Sequence, residues 1–516
     1  MSPAITTPHP LATAAGQEII AAGGTAAEAI IAAGAVLTVV MPHFCGIGGD
    51  AVWLLVDRRG RKNCLLAIGQ GIARPPVTAA IPQRGPGSVL TTAAVVDGWG
   101  RAHALSALHW GGRSRFGDLM QPAIGLAESG FVISASQKFW RDFRASEAED
   151  WPGFAQHFPR HVIVQRQPDL ARSLREIAEH GPRSFYEGLL AQRIVAGLRA
   201  AGVVISLDDL ARTRSRECVP LELPYRDLTL LAPPAPTQGA VTLAIMGILE
   251  RFELSVLAPG SADHLHLCVE AVKRAFLSRD GIADPRFAPD RTSEMIAPAR
   301  LNKDAEGIDI HRALPWPAVW QAGDTVFLAA HDAHGNAASV LQSTYFDWGS
   351  GVIAGDTGIL WQNRGAAFSH DPAHPNAFAP GKLPFYTLNP GMALREGRPR
   401  FLYGTQGADG QPQTLAMLLT RLIDFEETPE AALRGPRFLL GRTFSDSRDS
   451  LKVEADAGPA LAALQSRGHE VSPIPELSPL SGQAGVIALS REGAVAAHDP
   501  RGEGEGVVIS PLECHA

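Results

Sequence analysis

The spacing of apolar and polar positions divides the chain into a first part dominated by helical periodicity and a second part dominated by strands. Leu11 to Ala22 repeats its apolar residues at helical spacing and ends on Gly23-Gly24. Thr25 then offers an N-cap for a second helix that runs roughly to Val40 and is stopped by Pro42. Beyond Gly46, Gly48 and Gly49, the run Ala51 to Val56 is apolar at every position, as expected of a strand covered on both faces. Val95 to His109 and Arg115 to Gly130 predict two further helices, and residues 135–300 read as mainly helical.

The period then changes. Val326 to Ala330 and Ala337 to Leu341 are apolar and partly β-branched, and Asp332-Ala333-His334-Gly335-Asn336 between them tolerates the positive φ of a tight turn, so the stretch predicts a β-hairpin. A turn centred on His334 sets Thr325 and Ser343, each nine residues away, opposite one another with Cβ atoms roughly 5 Å apart. Further on, Pro380 to Leu388 runs into another strand, and Gly404 to Gln413 reads as a glycine-rich turn ahead of a helix from Thr414 to about Phe425. Backbone N–H groups left free at such a turn suit a developing negative charge.

Composition narrows the partners. No linker, charge block or repeat divides the 516 residues, which predicts one large unit or two intimately packed ones. A formal charge of −7, from 46 basic and 53 acidic residues, supplies no basic face for nucleic acid and leaves a small neutral or anionic molecule as the expected partner. The five cysteines include no C-x-x-C pair, and the first ten residues lack a basic and an apolar signal region. The run Ala26 to Val40 is too short to span a bilayer. Together these predict a cytoplasmic protein. His264, His266 and Cys268 invite a metal reading, but on a helix residues i and i+2 diverge, so no metal site is expected there.

Thr325 and Ser343 alone amount to an ordinary cross-strand hydroxyl pair. The Pro-punctuated segment Leu314 to Gly323 alters that reading, because it resembles an exposed loop that delivers the chain into a core strand and can be cut. A threonine freed at its own amino group is a nucleophile that carries its base with it.

These residues resemble a known family. Asp324-Thr325, Asp332-x-x-Gly335-Asn336-Ala337, Gly349-Ser350-Gly351-Val352-Ile353, Gly358-Ile359-Leu360, Asn363 and Phe368-Ser369 are similar to the small-subunit start of γ-glutamyltransferases. His9-Pro10-Leu11-Ala12, Gly23 to Ala29 and Pro42 to Asp50 resemble that family's large-subunit opening. The resemblance implies an α+β fold, the four-layer αββα sandwich of N-terminal-nucleophile hydrolases. It implies self-cleavage between Asp324 and Thr325 into a large subunit, residues 1–324, and a small one, residues 325–516, which stay together as a heterodimer or a dimer of heterodimers. It also implies no cofactor. Thr325 would be nucleophile and base, Ser343 its orienting hydroxyl, and Gly407 and Ala408 the paired N–H groups of the oxyanion site.

The likeness has gaps where the family grips glutamate. Gln70 or a neighbouring glycine stands near the family's carboxylate-binding arginine, Ala367 replaces its aspartate, Tyr386-Thr387 its serine pair and Tyr345 its asparagine. Arg364 stands where the family usually has a neutral side chain, and its planar fork suits a carboxylate on a smaller substrate. Asn363-Arg364-Gly365 and Pro380-Gly381-Lys382 look most like the branch that includes oxamate amidohydrolase. The readings open at this point are a small-amide hydrolase, a true γ-glutamyltransferase or glutathione hydrolase, and an unprocessed binding protein.

Overall fold

A computed structural model describes residues 2–75, 80–316, 325–443 and 446–510. Two antiparallel sheets form its centre. One has seven strands in the order Glu505–Val508, Ala4–Thr7, Val326–His331, Ala337–Ser343, Asp50–Val56, Lys62–Ala67 and Arg216–Cys218. The other has six, in the order Ala494–His498, Ala484–Leu489, Arg398–Thr405, Gly391–Arg395, Leu228–Ala232 and Leu221–Tyr225. Both sheets therefore draw strands from before and after Thr325.

The uninterrupted apolar run Asp50–Val56 is buried at every position. Val52, Leu54 and Val56 join Phe327, Leu341, Met392, Leu402 and Ile487 in a core shared by the two sheets. Trp53 and Leu55 point the other way, into a cluster with helices Pro10–Ala21, Ala26–Val40 and Val95–Leu105. The far side of the six-stranded sheet packs Leu230, Ala393, Phe401 and Val486 against helices Gly239–Leu249, Ala262–Phe276 and Gln411–Ile423. Where the sheets meet, a Cβ on Gly404 would lie 2.2 Å from Phe327 Cδ2, so any side chain there forces the sheets apart.

The helix Ala26–Val40 is capped as its sequence suggests, by Thr25 with Glu28 reaching back in a capping box. Asp332 Oδ2, from the hairpin turn, also accepts Ala26 N–H at 3.0 Å, tying that turn to the helix start. The region 135–300 is mainly helical and also holds short strands, of which Leu221–Tyr225 and Leu228–Ala232 extend the six-stranded sheet. Pro384 to Leu388 leads into the strand that begins at Gly391, and Tyr386 within it forms an isolated bridge with Thr237. Among the described residues no helix is long and apolar enough to cross a membrane.

Candidate active site

The hairpin has the register that its turn chemistry predicts. Val340 pairs with Leu328 and Gln342 with Val326, so one further step sets Thr325 opposite Ser343. Thr325 is 1% exposed and Ser343 fully buried. Tyr345 N–H donates to Ser343 Oγ at 2.8 Å and so orients the hydroxyl beside Thr325. Tyr345 achieves this with φ +86°, in the left-handed region that an aromatic side chain rarely adopts. Asp324 and the preceding 317–323 lie outside the described residues.

The glycine-rich turn follows strand Arg398–Thr405 and leads through a single 3₁₀ turn into helix Gln411–Ile423. Gly407 (φ +118°) and Ala408 (φ +42°) both take positive φ. Ala408, 2% exposed, stands where glycine would be unstrained, so the turn holds its N–H groups against a backbone preference. Gln238 fixes the turn from below: its Nε2 donates to Ala408 O and to Thr387 O, each at 2.7 Å.

Arg364 is fully buried, and none of its three guanidinium nitrogens makes a well-formed hydrogen bond among the described residues, although the Tyr386 hydroxyl lies close enough to interact with the cation. Its Cζ lies 3.7 Å from the Tyr345 ring centroid and 3.6 Å from that of Tyr386, so both faces of the cation are covered and its N–H edge alone is left to bind. Burying an unpaired charge is expensive unless an anion completes it. A planar carboxylate approaching edge-on satisfies that geometry. Register thus sets Thr325 opposite Ser343, and direct contacts link Ser343 to Tyr345, Tyr345 to Arg364 and Arg364 to Tyr386. Gln70 is engaged elsewhere, its Nε2 donating to Asp209 O at 3.1 Å and Thr213 Oγ1 at 3.4 Å.

Residues 12–509 match the family model described as gamma-glutamyltranspeptidase. The oxamate amidohydrolase proenzyme of Klebsiella pneumoniae is 42% identical over 512 residues, covering 96% of each chain. The glutathione hydrolase-like YwrD proenzyme of Bacillus subtilis is 37% identical over 521 residues, covering 98% of each. The crystal structure of cephalosporin acylase from Bacillus halodurans superposes with a TM-score of 0.88 at 29% identity, covering 98% of this chain and 95% of that one. The chain belongs to the gamma-glutamyltranspeptidase family. It is an enzyme of that family's hydrolase and transferase chemistry.

This family member holds its arginine with residues that sequence reasoning passed over. Asp50, opposite Ser343 in register, accepts Gly69 N–H and Ala94 N–H through Oδ1, and Gln362 Nε2 and the Tyr386 hydroxyl, both at 2.9 Å, through Oδ2. It thereby fixes the ring of Tyr386 against Arg364. The available signal was its place at the end of Gly46-Ile47-Gly48-Gly49-Asp50, but the convergence on Tyr386 spans 336 positions. Burial pushes the Asp50 carboxyl up from 3.8 to about 6, against the pull of its four donors. A carboxyl raised in the folded state contributes stability that is complete below about pH 4 and is lost as pH rises through about 6. Asp50→Asn will destabilise at every pH because the amide cannot accept from both sides. Its diagnostic is the slope: the melting-temperature deficit, measured from pH 4 to 7.5, shrinks as the wild type loses its protonated Asp50.

His264 and Cys268 do not converge with His266, in line with the divergence of i and i+2: His264 accepts Gly260 N–H at 3.0 Å and pairs with Thr420 at 2.8 Å. A different group does gather. His266, Glu270 and His469 bring ligand-type atoms within 4.8 Å of one another. The i,i+4 pair was readable on the helix, whereas His469 arrives from 203 positions away. Lys273 Nζ already sits 2.7 Å from Glu270 Oε1 and donates to Leu314 O at 2.6 Å, so a resident ammonium supplies the cation.

On the reading proposed below, in which Ser343 orients the Thr325 hydroxyl, Ser343→Ala is expected to lower kcat roughly 10-fold with little change in KM, since such a hydrogen bond is felt at the transition state rather than in substrate binding. Steady-state kinetics on the processed protein reads the split.

Proposed function

We propose that the protein is a self-processed N-terminal-threonine amidohydrolase whose substrate is a small amide with a carboxylate on its acyl side, oxamate being the simplest. The observation that carries this reading is the buried, unpartnered edge of Arg364 between Tyr345 and Tyr386, beside the Thr325 and Ser343 pair. The arrangement of two sheets flanked by helices is read as the four-layer αββα sandwich of N-terminal-nucleophile hydrolases, with residues 1–324 and 325–516 as its two subunits. Several relatives are named proenzymes, which supports cleavage before Thr325. The four free cysteines among the described residues, with Cys64 and Cys218 opposite each other in register, support a reducing, cytoplasmic setting.

In turnover the Thr325 hydroxyl attacks the amide carbonyl and its proton passes to the threonine's own α-amine. Gly407 and Ala408 N–H groups receive the oxyanion. The amine leaves with the proton, and water hydrolyses the ester on Thr325. The carboxylate held by Arg364 fixes which carbonyl meets the nucleophile.

Two measurements test the reading. Intact-mass spectrometry of active protein is expected to show pieces of 324 and 192 residues, the second being 516 less 324, and a single uncut chain in an active preparation contradicts it. Ammonia release from oxamate without glutathione turnover supports the small-amide reading. Glutathione cleavage with transfer to an acceptor dipeptide, and none from oxamate, replaces it with γ-glutamyl transfer.

A further inference from the structure

Next to this site is a space that ammonia does not need. Gln406 and Gly407, at the oxyanion turn, line a cavity of about 900 Å³, whereas a departing ammonia is about the size of a water, roughly 30 Å³. Its inner wall continues the stack at the arginine. Phe346 lies parallel to Tyr345, with centroids 4.2 Å apart and planes inclined by 18°, so Phe346, Tyr345, Arg364 and Tyr386 form one pile whose outermost ring faces the cavity. Phe44, Trp140 and Phe143 form much of the remaining wall, with Trp140 edge-on to Phe44 at 6.1 Å and to Phe143 at 5.6 Å. The ionic groups nearest the stack satisfy one another: Asp347 pairs with Arg84 at 2.7 Å and Arg144 at 2.8 Å. Asp347, Arg84 and Arg144 are thus matched, whereas Arg442 and Glu503 also line the cavity without an ion-pair partner among the described residues, so an apolar guest is admitted beside the matched groups.

We propose that this cavity receives the amine half of the substrate and that the amine is aromatic, so that the preferred substrates are N-aryl or N-arylalkyl amides of a short carboxylate-bearing acid. The inference rests on the acyl-side role of Arg364 proposed above. Rings arranged edge-on and offset around a space of this size accommodate another ring better than an alkyl chain, because a planar guest can meet both their faces and their edges. In the reaction the bond from Thr325 Oγ to the acyl carbon forms and the carbon–nitrogen bond breaks. The hydroxyl proton travels by the α-amine to the arylamine, which departs neutral into the cavity. Water then releases the short diacid.

The test measures kcat/KM of the processed protein for oxamate, N-ethyloxamate, N-phenyloxamate and N-benzyloxamate, following oxalate, the product common to all four. The aromatic amides are expected to exceed oxamate and N-ethyloxamate by about tenfold or more, the scale on which a fitted apolar pocket discriminates. Leu480→Trp, which adds bulk at the cavity lining, is expected to reduce the ratio of N-benzyloxamate to oxamate turnover at least tenfold. Phe143→Ala, at a side chain 42% exposed and so safe for folding, is expected to lower the same ratio through a higher KM for the aromatic amide. If oxamate is hydrolysed and the aromatic amides are equal or slower, or if their advantage survives both substitutions, the aromatic-amine assignment is wrong while the small-amide reading stands. If none of the four is hydrolysed, both fall.

Discussion

A Thr325→Ala chain is expected to remain one uncut species and to hydrolyse nothing. The residue is 1% exposed, and the loss of one hydroxyl and one methyl from a strand start leaves the flanking strand Val326–His331 intact, so circular dichroism and melting will stay close to those of the wild type. On the proposed mechanism, what disappears is the oxygen that attacks the peptide carbonyl during processing and the substrate carbonyl during turnover. Ser343 cannot take its place: Tyr345 N–H holds its Oγ, and it has no freed α-amine to serve as base. The two roles separate if residues 1–324 and residues 325–516 carrying Thr325→Ala are supplied as two chains already cut. Then the α-amine is present without the hydroxyl, and activity will still be at least about 1000-fold below that of the processed wild type, because an oxyanion site and substrate binding without a nucleophile retain a small part of catalysis. Hydrolysis by that assembly of every amide the wild type accepts would show that Thr325 is not the nucleophile.

The hairpin that presents Thr325 was readable in the sequence because its information is local. Asp332 Oδ1 accepts His334 N–H and Asn336 N–H, both at 2.9 Å, so the turn is fixed by the residues that signal it, and a fixed turn fixes the register of both strands. The capped helix Ala26–Val40 is local in the same sense. Misses occurred where tertiary contacts decide. Leu221–Tyr225 carries Pro224 and is tolerated because it lies at the edge of its sheet, while Leu228–Ala232 is a short, mostly apolar run that no periodicity distinguishes from a helix. Pro384 to Leu388 leads into strand Gly391–Arg395 as its sequence suggests, but that Tyr386 N–H donates to Pro236 O and its hydroxyl to Asp50 was not readable, because those partners are distant in sequence. Arg364 suggested a carboxylate from its chemistry alone. Its complete burial was not readable, because the rings that cover it come from residues 345 and 386 on separate loops.

Burial without a partner also gives Arg364 the most discriminating substitution in the molecule. Arg364→Met keeps much of the volume between Tyr345 and Tyr386 and removes the charge. For oxamate or another carboxylate-bearing amide, kcat/KM is expected to fall by the equivalent of roughly 2–5 kcal/mol, about 30-fold to several thousand-fold, as for truncation of one partner of a buried charge pair. For oxamide, which offers a neutral amide in place of the carboxylate, the change is expected to be small. Stability is expected to move the opposite way. In the free protein the guanidinium has two ring faces but no well-formed hydrogen bond among the described residues, so an apolar side chain of similar shape relieves a poorly compensated burial, and the melting temperature should rise by an amount corresponding to about 1–4 kcal/mol. An arginine with a structural role behaves differently, because its loss lowers the melting temperature and slows both substrates alike. The two measurements, thermal unfolding without substrate and the ratio of kcat/KM for oxamate to that for oxamide, therefore decide between a cation kept for the substrate and one kept for the fold. A rise in stability together with a collapse of that ratio identifies the edge of Arg364 as the place where the substrate carboxylate completes the site.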